Sequence, residues 1–172
     1  MDWTELDAWL AGLDLPFPLT AEQHDTHAAF IDAWRKAHRD FAGGAIEALL
    51  WIRIGHLDPA HHLVQDATRG LEAYLHGVVH RIEGDFWNSK YWFRQVQSPS
   101  LLQRIEAAMG DAPANASNQE SFASPSAFVD ACESAGKRSP REALRRYAQR
   151  EWDALWRVAS ERDGMANSER TK

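Results

Sequence analysis

The stretch that decides the fold is residues 45–54, which read AIEALLWIRI. At about 100° per residue, its apolar side chains cover most of the circumference of a helix. They are Ile46, Leu49, Leu50, Trp51, Ile52 and Ile54. A helix that is apolar nearly all round is buried on most sides, so we expect this helix, over about 45–55, to lie at the centre of the molecule.

Two charged side chains, Glu47 and Arg53, interrupt this apolar helix, and they are the charges most at risk of burial. A buried carboxylate is unfavourable unless it is paired or bound to a metal. In one interpretation both charges lie where the helix meets solvent or pair with other groups. In the other, Glu47 belongs to a functional site. The sequence leaves these alternatives open.

The rest of the chain is also predicted to be helical, because no segment keeps the period-two alternation of a half-buried strand. Ser or Asp followed by Pro suits the start of a helix. This pair occurs at Asp58-Pro59, Ser98-Pro99, Ser124-Pro125 and Ser139-Pro140. We predict helices at about 3–12, 20–41, 45–55, 59–68, 70–83, 86–97, 99–109, 125–135 and 140–162.

These elements predict an all-α, single-domain helical bundle of eight or nine helices over 1–163, built around the central apolar helix. Residues 110–123 are small and polar and are predicted to form a flexible loop. The tail, 164–172, is predicted to be disordered.

Composition narrows the class of protein. The length of 172 residues favours one domain, and 44% hydrophobic with 26% charged residues is typical of a folded soluble chain. No apolar run approaches the ~18–20 residues of a membrane helix, and no signal peptide is visible, so we expect a cytoplasmic protein. A net charge of −6 argues against nucleic acid as a partner. The single cysteine, Cys132, excludes an internal disulfide and a multi-cysteine metal site.

The predicted fifth helix carries two histidines, His76 and His80, four residues apart on one side. Residues at this spacing lie about 5–6 Å apart at Cβ, so both imidazoles can bind one divalent ion. Glu83 or Glu72 of the same helix is a candidate oxygen ligand. Two imidazoles plus a carboxylate suit Zn, or Fe, Cu or Mn where positions stay open for substrate.

One helix rarely supplies every ligand of a metal ion, so further ligands are expected from neighbouring helices. His61 and His62 of the fourth predicted helix are the nearest candidates in sequence, and Glu47 of the third is another. The alternative interpretation is a solvated polar face, or two histidines hydrogen-bonded within a helix interface.

The next helix is rich in aromatic residues, five of the eight from Phe86 to Phe93. They cannot all face one core side of a helix, so Trp87, Tyr91 and Trp92 are candidates to shape a ligand pocket. Additional packing between antiparallel helices is the alternative. The excess of aromatic residues also favours a homodimer surface.

The two helices joined by Gly84 and Asp85 resemble one tetratricopeptide hairpin. The small, turn and aromatic positions of that motif correspond here to Gly77, Gly84, Asp85, Phe86, Ser89 and Phe93. No second copy follows, whereas an array needs about three repeats. In that register His76 and His80 face the partner helix and are partly buried.

The segment from His76 to Phe93 also resembles a family of small, mainly bacterial, uncharacterised helical proteins. The shared pattern is His-x3-His-Arg-x-Glu-x-Asp, followed by Asn and Tyr-Trp, with an upstream His that matches His61 or His62. The resemblance covers about 45–97 and brings no reaction with it. It implies that these polar residues are a feature that the family shares.

Together these patterns predict a small soluble protein with a His/carboxylate site, at the junction of the third to sixth helices, that binds a metal ion and acts on a small molecule. Arg81 and Asp85 would orient the ligands or hold an anionic substrate. Without a metal, the histidines could serve as general acid and base.

A competing hypothesis is a non-enzymatic, tetratricopeptide-like module that binds a protein partner. It predicts that the histidines are scattered and that Trp87 or Trp92 is exposed beside a groove.

Overall fold

The computed structural model describes residues 3–15, 17–20, 23–39, 44–110, 121–135 and 141–170. Within these ranges the chain forms α-helices and one 3-10 turn, Asp25–His27, with no strand, which confirms the all-α prediction. The helices are α1 (Trp3–Ala11), α2 (Ala28–Ala37), α3 (Ala45–Arg53), α4 (Leu57–Val64), α5 (Gly70–Glu83), α6 (Phe86–Gln95), α7 (Pro99–Gly110), α8 (Pro125–Ala135) and α9 (Arg141–Arg170). None of these helices combines the length and apolar character of a membrane span.

The central helix is α3, as predicted. It packs against α2, α4, α5 and α9, and every residue from Ile46 to Arg53 is buried. Full burial of a Leu or Ile side chain contributes about 1.5–3 kcal/mol relative to exposure. Trp152 of α9 donates its indole N–H to the carbonyl oxygen of Leu49 at 3.0 Å, which ties the last helix to the central one.

Both charges of α3 are buried, and both have partners. Glu47 is 3% exposed and accepts a hydrogen bond from the indole of Trp51 at 3.2 Å. Arg35 of α2 lies 3.8 Å from the same carboxylate. The guanidinium of Arg53 donates to the carbonyl oxygen of Leu15 at 3.0 Å. Arg35 and Leu15, which lie outside α3, thus help to hold the two charges, while Nη1 of Arg53 has no hydrogen-bond partner among the described residues.

Several helix ends differ from the prediction. The second helix, predicted from about 20, begins at Ala28 after the 3-10 turn, because the backbone N–H of His24 bonds to the carbonyl oxygen of Ile54 instead. The helix α4 begins at Leu57, before Pro59, which still lies in the first turn. The last helix, predicted to end at about 162, continues to Arg170.

The predicted Ser-Pro starts of two helices are confirmed. The Ser98 hydroxyl accepts from the backbone N–H of Leu101 at 3.4 Å, and the Ser124 hydroxyl accepts from that of Ala127 at 3.1 Å. The Ser139-Pro140 pair and most of the predicted loop, 111–120, lie outside the described residues.

A tight turn joins α5 to α6. Gly84 ends α5 in the left-handed region, at φ 85°, where a side chain would be strained. Asp85 then caps α6, because its carboxylate accepts from the backbone N–H of Asn88. The hydroxyl of Ser89 donates to the carbonyl oxygen of Gly77 at 2.7 Å across the hairpin. This hairpin places the aromatic helix against the histidine-bearing one.

We expect Gly77→Ala to lower the free energy of unfolding by up to about 2 kcal/mol, because a Cβ at this position would lie 3.0 Å from the ring of Phe93. Overpacking typically costs about 1–3 kcal/mol, which cancels or exceeds the ~1 kcal/mol that Ala gains over Gly in a helix. Urea denaturation measures the change. Gly110→Ala is the control, since no described atom lies within 4 Å of its added Cβ. A gain in stability of about 1 kcal/mol in Gly77→Ala, the full helix propensity of Ala, would contradict the close approach of α5 and α6.

Candidate metal centre

Three imidazoles converge where α4 packs against α5. His61 comes from the last turn of α4, and His76 and His80 come from successive turns of α5. One ring nitrogen from each lies within 4.8 Å of the others. The Nε2 atoms of His61 and His76 are 2.9 Å apart. This histidine cluster, His61, His76 and His80, could hold a metal ion.

The cluster is buried on one side and open on the other. His76 is 3% exposed, and the indole of Trp92 stacks on its ring with centroids 4.0 Å apart. His61 is half-buried, and 12% of the His80 side chain is exposed. Solvent can therefore reach the cluster at His61 and His80, while Trp92 shields His76.

His76 carries a ring nitrogen without a partner. Its buried Nδ1 has no hydrogen bond within the described ranges. A buried polar atom left unpaired costs about 1–3 kcal/mol. A water molecule, a bound ion or a functional role would each account for a buried unpaired atom of this kind.

The cluster keeps His76 uncharged. Burial lowers the pKa of His76 from 6.5 to about 4, and the neighbouring charges of His80 and His61 act in the same direction. At neutral pH the imidazole therefore keeps a lone pair available. Metal ions bind the neutral form of histidine, so no proton has to be removed from this ring first.

Glu83 lies behind His80 rather than among the converging nitrogens. Its Oε2 is 3.0 Å from Nδ1 of His80, and the carboxylate is exposed. A carboxylate that accepts from Nδ1–H fixes the proton there and leaves Nε2 with a lone pair. The structure thus gives Glu83 the position of an orienting group instead of the oxygen ligand that we expected.

Asp85 is close to the cluster but is engaged in the helix start. Its carboxylate accepts from the side-chain amide of Asn88 at 2.6 Å. The backbone and side-chain hydrogen bonds from Asn88 lower the pKa of Asp85, and the charge of His80 contributes. Asp85 therefore adds negative charge beside His80 without joining the three converging nitrogens.

Three predicted or alternative ligands lie elsewhere. His62 is exposed and lies 3.1 Å from the side-chain amide of Gln65, so the structure selects His61 of the two neighbours. Glu47 is held in α3 by Trp51. Glu72 lines a separate cavity at the start of α5. None of these three belongs to the cluster.

Arg81 belongs to a different buried cluster. It is 2% exposed and pairs with Glu151 of α9 through both carboxylate oxygens. The hydroxyl of Tyr74 donates to the same carboxylate at 2.8 Å, and the Arg81 guanidinium lies 4.3 Å from the ring centroid of Phe128. Because Glu151 already neutralises it, Arg81 is placed to join α5 to α9 rather than to hold an anionic substrate.

Glu151 is the partner that sequence reasoning missed. It lies on the apolar stripe of α9, three residues after Ala148 and four before Leu155. A carboxylate at a core-facing position of an amphipathic helix indicates a buried ion pair. That signal was present in the sequence, although nothing local identified Arg81 as the partner.

The aromatic residues of α6 extend from the histidine cluster to the surface. Trp92 stacks on His76, and the ring of Tyr91 meets Trp92 edge to face at 5.4 Å. Tyr91 is 39% exposed and Trp87 is 72% exposed. Trp92 therefore forms a wall of the cluster, whereas Tyr91 and Trp87 lie outside it.

Comparison with known proteins gives no relative from which a role for the site could be inferred. No family model, curated protein or solved structure matches the chain. The resemblances to an uncharacterised helical family and to a tetratricopeptide hairpin therefore stay predictions.

We expect the His76 ring of the metal-free protein to titrate near pH 4 instead of 6.5. Because its pKa is lower in the folded state, the unfolded chain takes up this proton more readily. The contribution of His76 to stability is therefore present above pH 6.5 and is lost as the pH falls toward 4. NMR of the ring C–H resonances measures the midpoint. A midpoint at or above 6.5 would contradict the buried, neutral ring.

We expect Arg81→Ala to lower the free energy of unfolding by about 3–5 kcal/mol, because Glu151 would remain buried without its counter-ion. Replacing both partners, as Arg81→Met with Glu151→Gln, should restore most of this loss, since Gln still accepts from Tyr74. Urea denaturation compares the variants. A single variant that keeps its stability but loses metal binding would show instead that Arg81 acts at the histidine cluster.

Proposed function

We propose that this protein binds one divalent transition-metal ion through His61, His76 and His80 and acts on a small molecule at that ion. The observation that carries the proposal is the convergence of three ring nitrogens within 4.8 Å. Metal–nitrogen bonds of about 2.0–2.1 Å bring ligating nitrogens to within about 4 Å of one another. Small changes of the side-chain angles therefore suffice to bind an ion.

The number of ligands favours a catalytic site over a structural one. Structural zinc sites close the ion with four protein ligands, whereas catalytic sites use three and keep one position open. In the described part of the chain, the cluster contains three candidate ligands and no more. The open position would face the side where His61 and His80 are only half-buried.

The all-imidazole set bears on which ion is bound. Imidazole suits Zn, Cu and Fe, whereas Mn prefers oxygen ligands and is the least supported of the four candidates. Glu83 would strengthen His80 as a ligand, because a carboxylate bonded to the other ring nitrogen raises ligand basicity. The two exposed carboxylates, Glu83 and Asp85, would also offset part of the charge of the ion.

The reaction class that this arrangement supports is metal-assisted hydrolysis or hydration of a small molecule. A bound zinc ion lowers the pKa of its water to about 7 and polarises a carbonyl oxygen. The chain contributes the ligand geometry, with His80 held by Glu83 and with Trp92 excluding water from one face of His76.

Two further interpretations remain testable. The 2.9 Å contact between His61 and His76 also supports a metal-free acid–base pair, which would require catalysis in the presence of a chelator. The exposed Trp87 supports an interaction module, and mutating His76 and His80 to Ala would then leave the interaction with the partner protein intact.

We expect protein purified without a His tag to bind one equivalent of Zn²⁺ or Co²⁺, with a corresponding rise in Tm. His61→Ala, His76→Ala and His80→Ala should each weaken binding at least about 100-fold, the upper end of the effect of losing an outer-shell partner. Isothermal titration calorimetry and the Co²⁺ absorption spectrum measure the affinity.

The adjacent exposed histidine provides the control. His62→Ala should bind the metal like the natural sequence, because this side chain contacts Gln65 and lies outside the cluster. Absence of metal binding to the unmodified protein would contradict the proposal. An equal loss of metal affinity in His62→Ala and His61→Ala would contradict it as well.

A further inference from the structure

An exposed aromatic surface lies next to the histidine cluster. Among the described residues, Trp87 and Tyr91 are the large hydrophobic side chains that remain exposed, at 72% and 39%. They lie one turn apart on α6, with ring planes inclined by 11° and centroids 6.2 Å apart. Leaving two aromatic rings in water forgoes favourable burial, so a surface of this kind indicates a binding role.

This surface is continuous with the proposed metal ligands. Tyr91 contacts Trp92 at 5.4 Å, and Trp92 stacks on His76 at 4.0 Å. Two ring-to-ring contacts therefore separate a ligand imidazole from Tyr91.

The charges near this surface do not favour a strongly charged ligand. Glu83 and Asp85 place two exposed carboxylates beside His80. The nearby cations Arg81 and Lys90 are already engaged in ion pairs with acidic residues of α9 and α8. Arg94, one turn beyond Tyr91, is the remaining cation on this face of α6. With a divalent ion bound, the two carboxylates balance the charge of the ion, and Arg94 adds one positive charge on the same face as Trp87.

We infer that Trp87 and Tyr91 form a platform for a flat, uncharged aromatic ring of the substrate, whose donor atom binds the metal ion. This inference rests on the proposed function of the histidine cluster. Stacking tolerates different rings because every aromatic ring has a π face, so the platform selects a class of molecule and not one compound. Trp87 and Tyr91 are thereby specificity-determining residues, while the histidines supply the metal site.

A pair of matched probes tests the platform. Benzohydroxamate and acetohydroxamate bind metals through the same hydroxamate group and differ only in a phenyl or methyl substituent. The affinity of each probe for the Co²⁺-loaded protein is divided by its affinity for Co²⁺ in water. On this scale we expect the protein to prefer benzohydroxamate about tenfold, as expected for one stacked ring. Trp87→Ala and Tyr91→Ala should each reduce this preference severalfold, with Co²⁺ and acetohydroxamate binding unchanged.

The control is Trp156→Ala, which removes a half-buried indole that stacks on Trp152 of α9. This variant should keep the preference for benzohydroxamate. Absence of Co²⁺ binding would overturn the proposed function and this inference together. Normal Co²⁺ binding with no preference for the phenyl probe, or with a preference that survives in Trp87→Ala, would overturn the platform alone.

The oligomeric state provides an independent test of the same surface. We expect sedimentation to show the same species for the unmodified protein and for Trp87→Ala. A dimer that dissociates in Trp87→Ala would show that Trp87 is covered by a second copy of the chain, and it would overturn the platform.

Discussion

The helix α5 has almost no free face, and the rest of the site depends on this constraint. Its residues are buried nearly throughout, including His76 and Arg81. Burial of polar groups is unfavourable unless partners meet them, so each polar side of α5 needs a neighbouring helix that brings the matching group. On one side α9 brings Glu151 to Arg81, and on the other α4 brings His61 to His76.

The two polar clusters differ in how completely they are satisfied. Arg81, Glu151 and Tyr74 pair with one another, and all three are almost fully buried. Burial raises the pKa of the Tyr74 hydroxyl, as does the charge of Glu151, so the tyrosine stays a proton donor in this cluster. A closed and satisfied network of this kind holds helices in place. The histidine cluster instead leaves Nδ1 of His76 without a hydrogen-bond partner among the described residues, and His61 and His80 are only half-buried.

The sequence predicts local elements better than long-range partners. The limits of α5 are correct because Gly70 and Gly84 mark both ends, and the pairing of His76 with His80 follows from helical spacing alone. The choice between His61 and His62 depends on the rotation of α4 against α5, which no local pattern determines. The same limit applies to the pairing of Arg81 with Glu151, residues 70 positions apart. The early start predicted for the second helix fails because a tertiary hydrogen bond from His24 competes with helix formation.

Helical geometry also explains why some aromatic residues of α6 pack against α5 while others remain exposed. Phe93 is buried and contacts Tyr74 of α5, which fixes the rotation of α6 about its axis. That rotation places Trp92 against His76. Because successive residues are about 100° apart, Tyr91 and Trp87 then lie on the side that no described helix covers. The packing of the hairpin alone therefore accounts for Phe93 and Trp92, but it gives no reason for apolar rings at the two exposed positions, where a polar residue would suit the fold equally well.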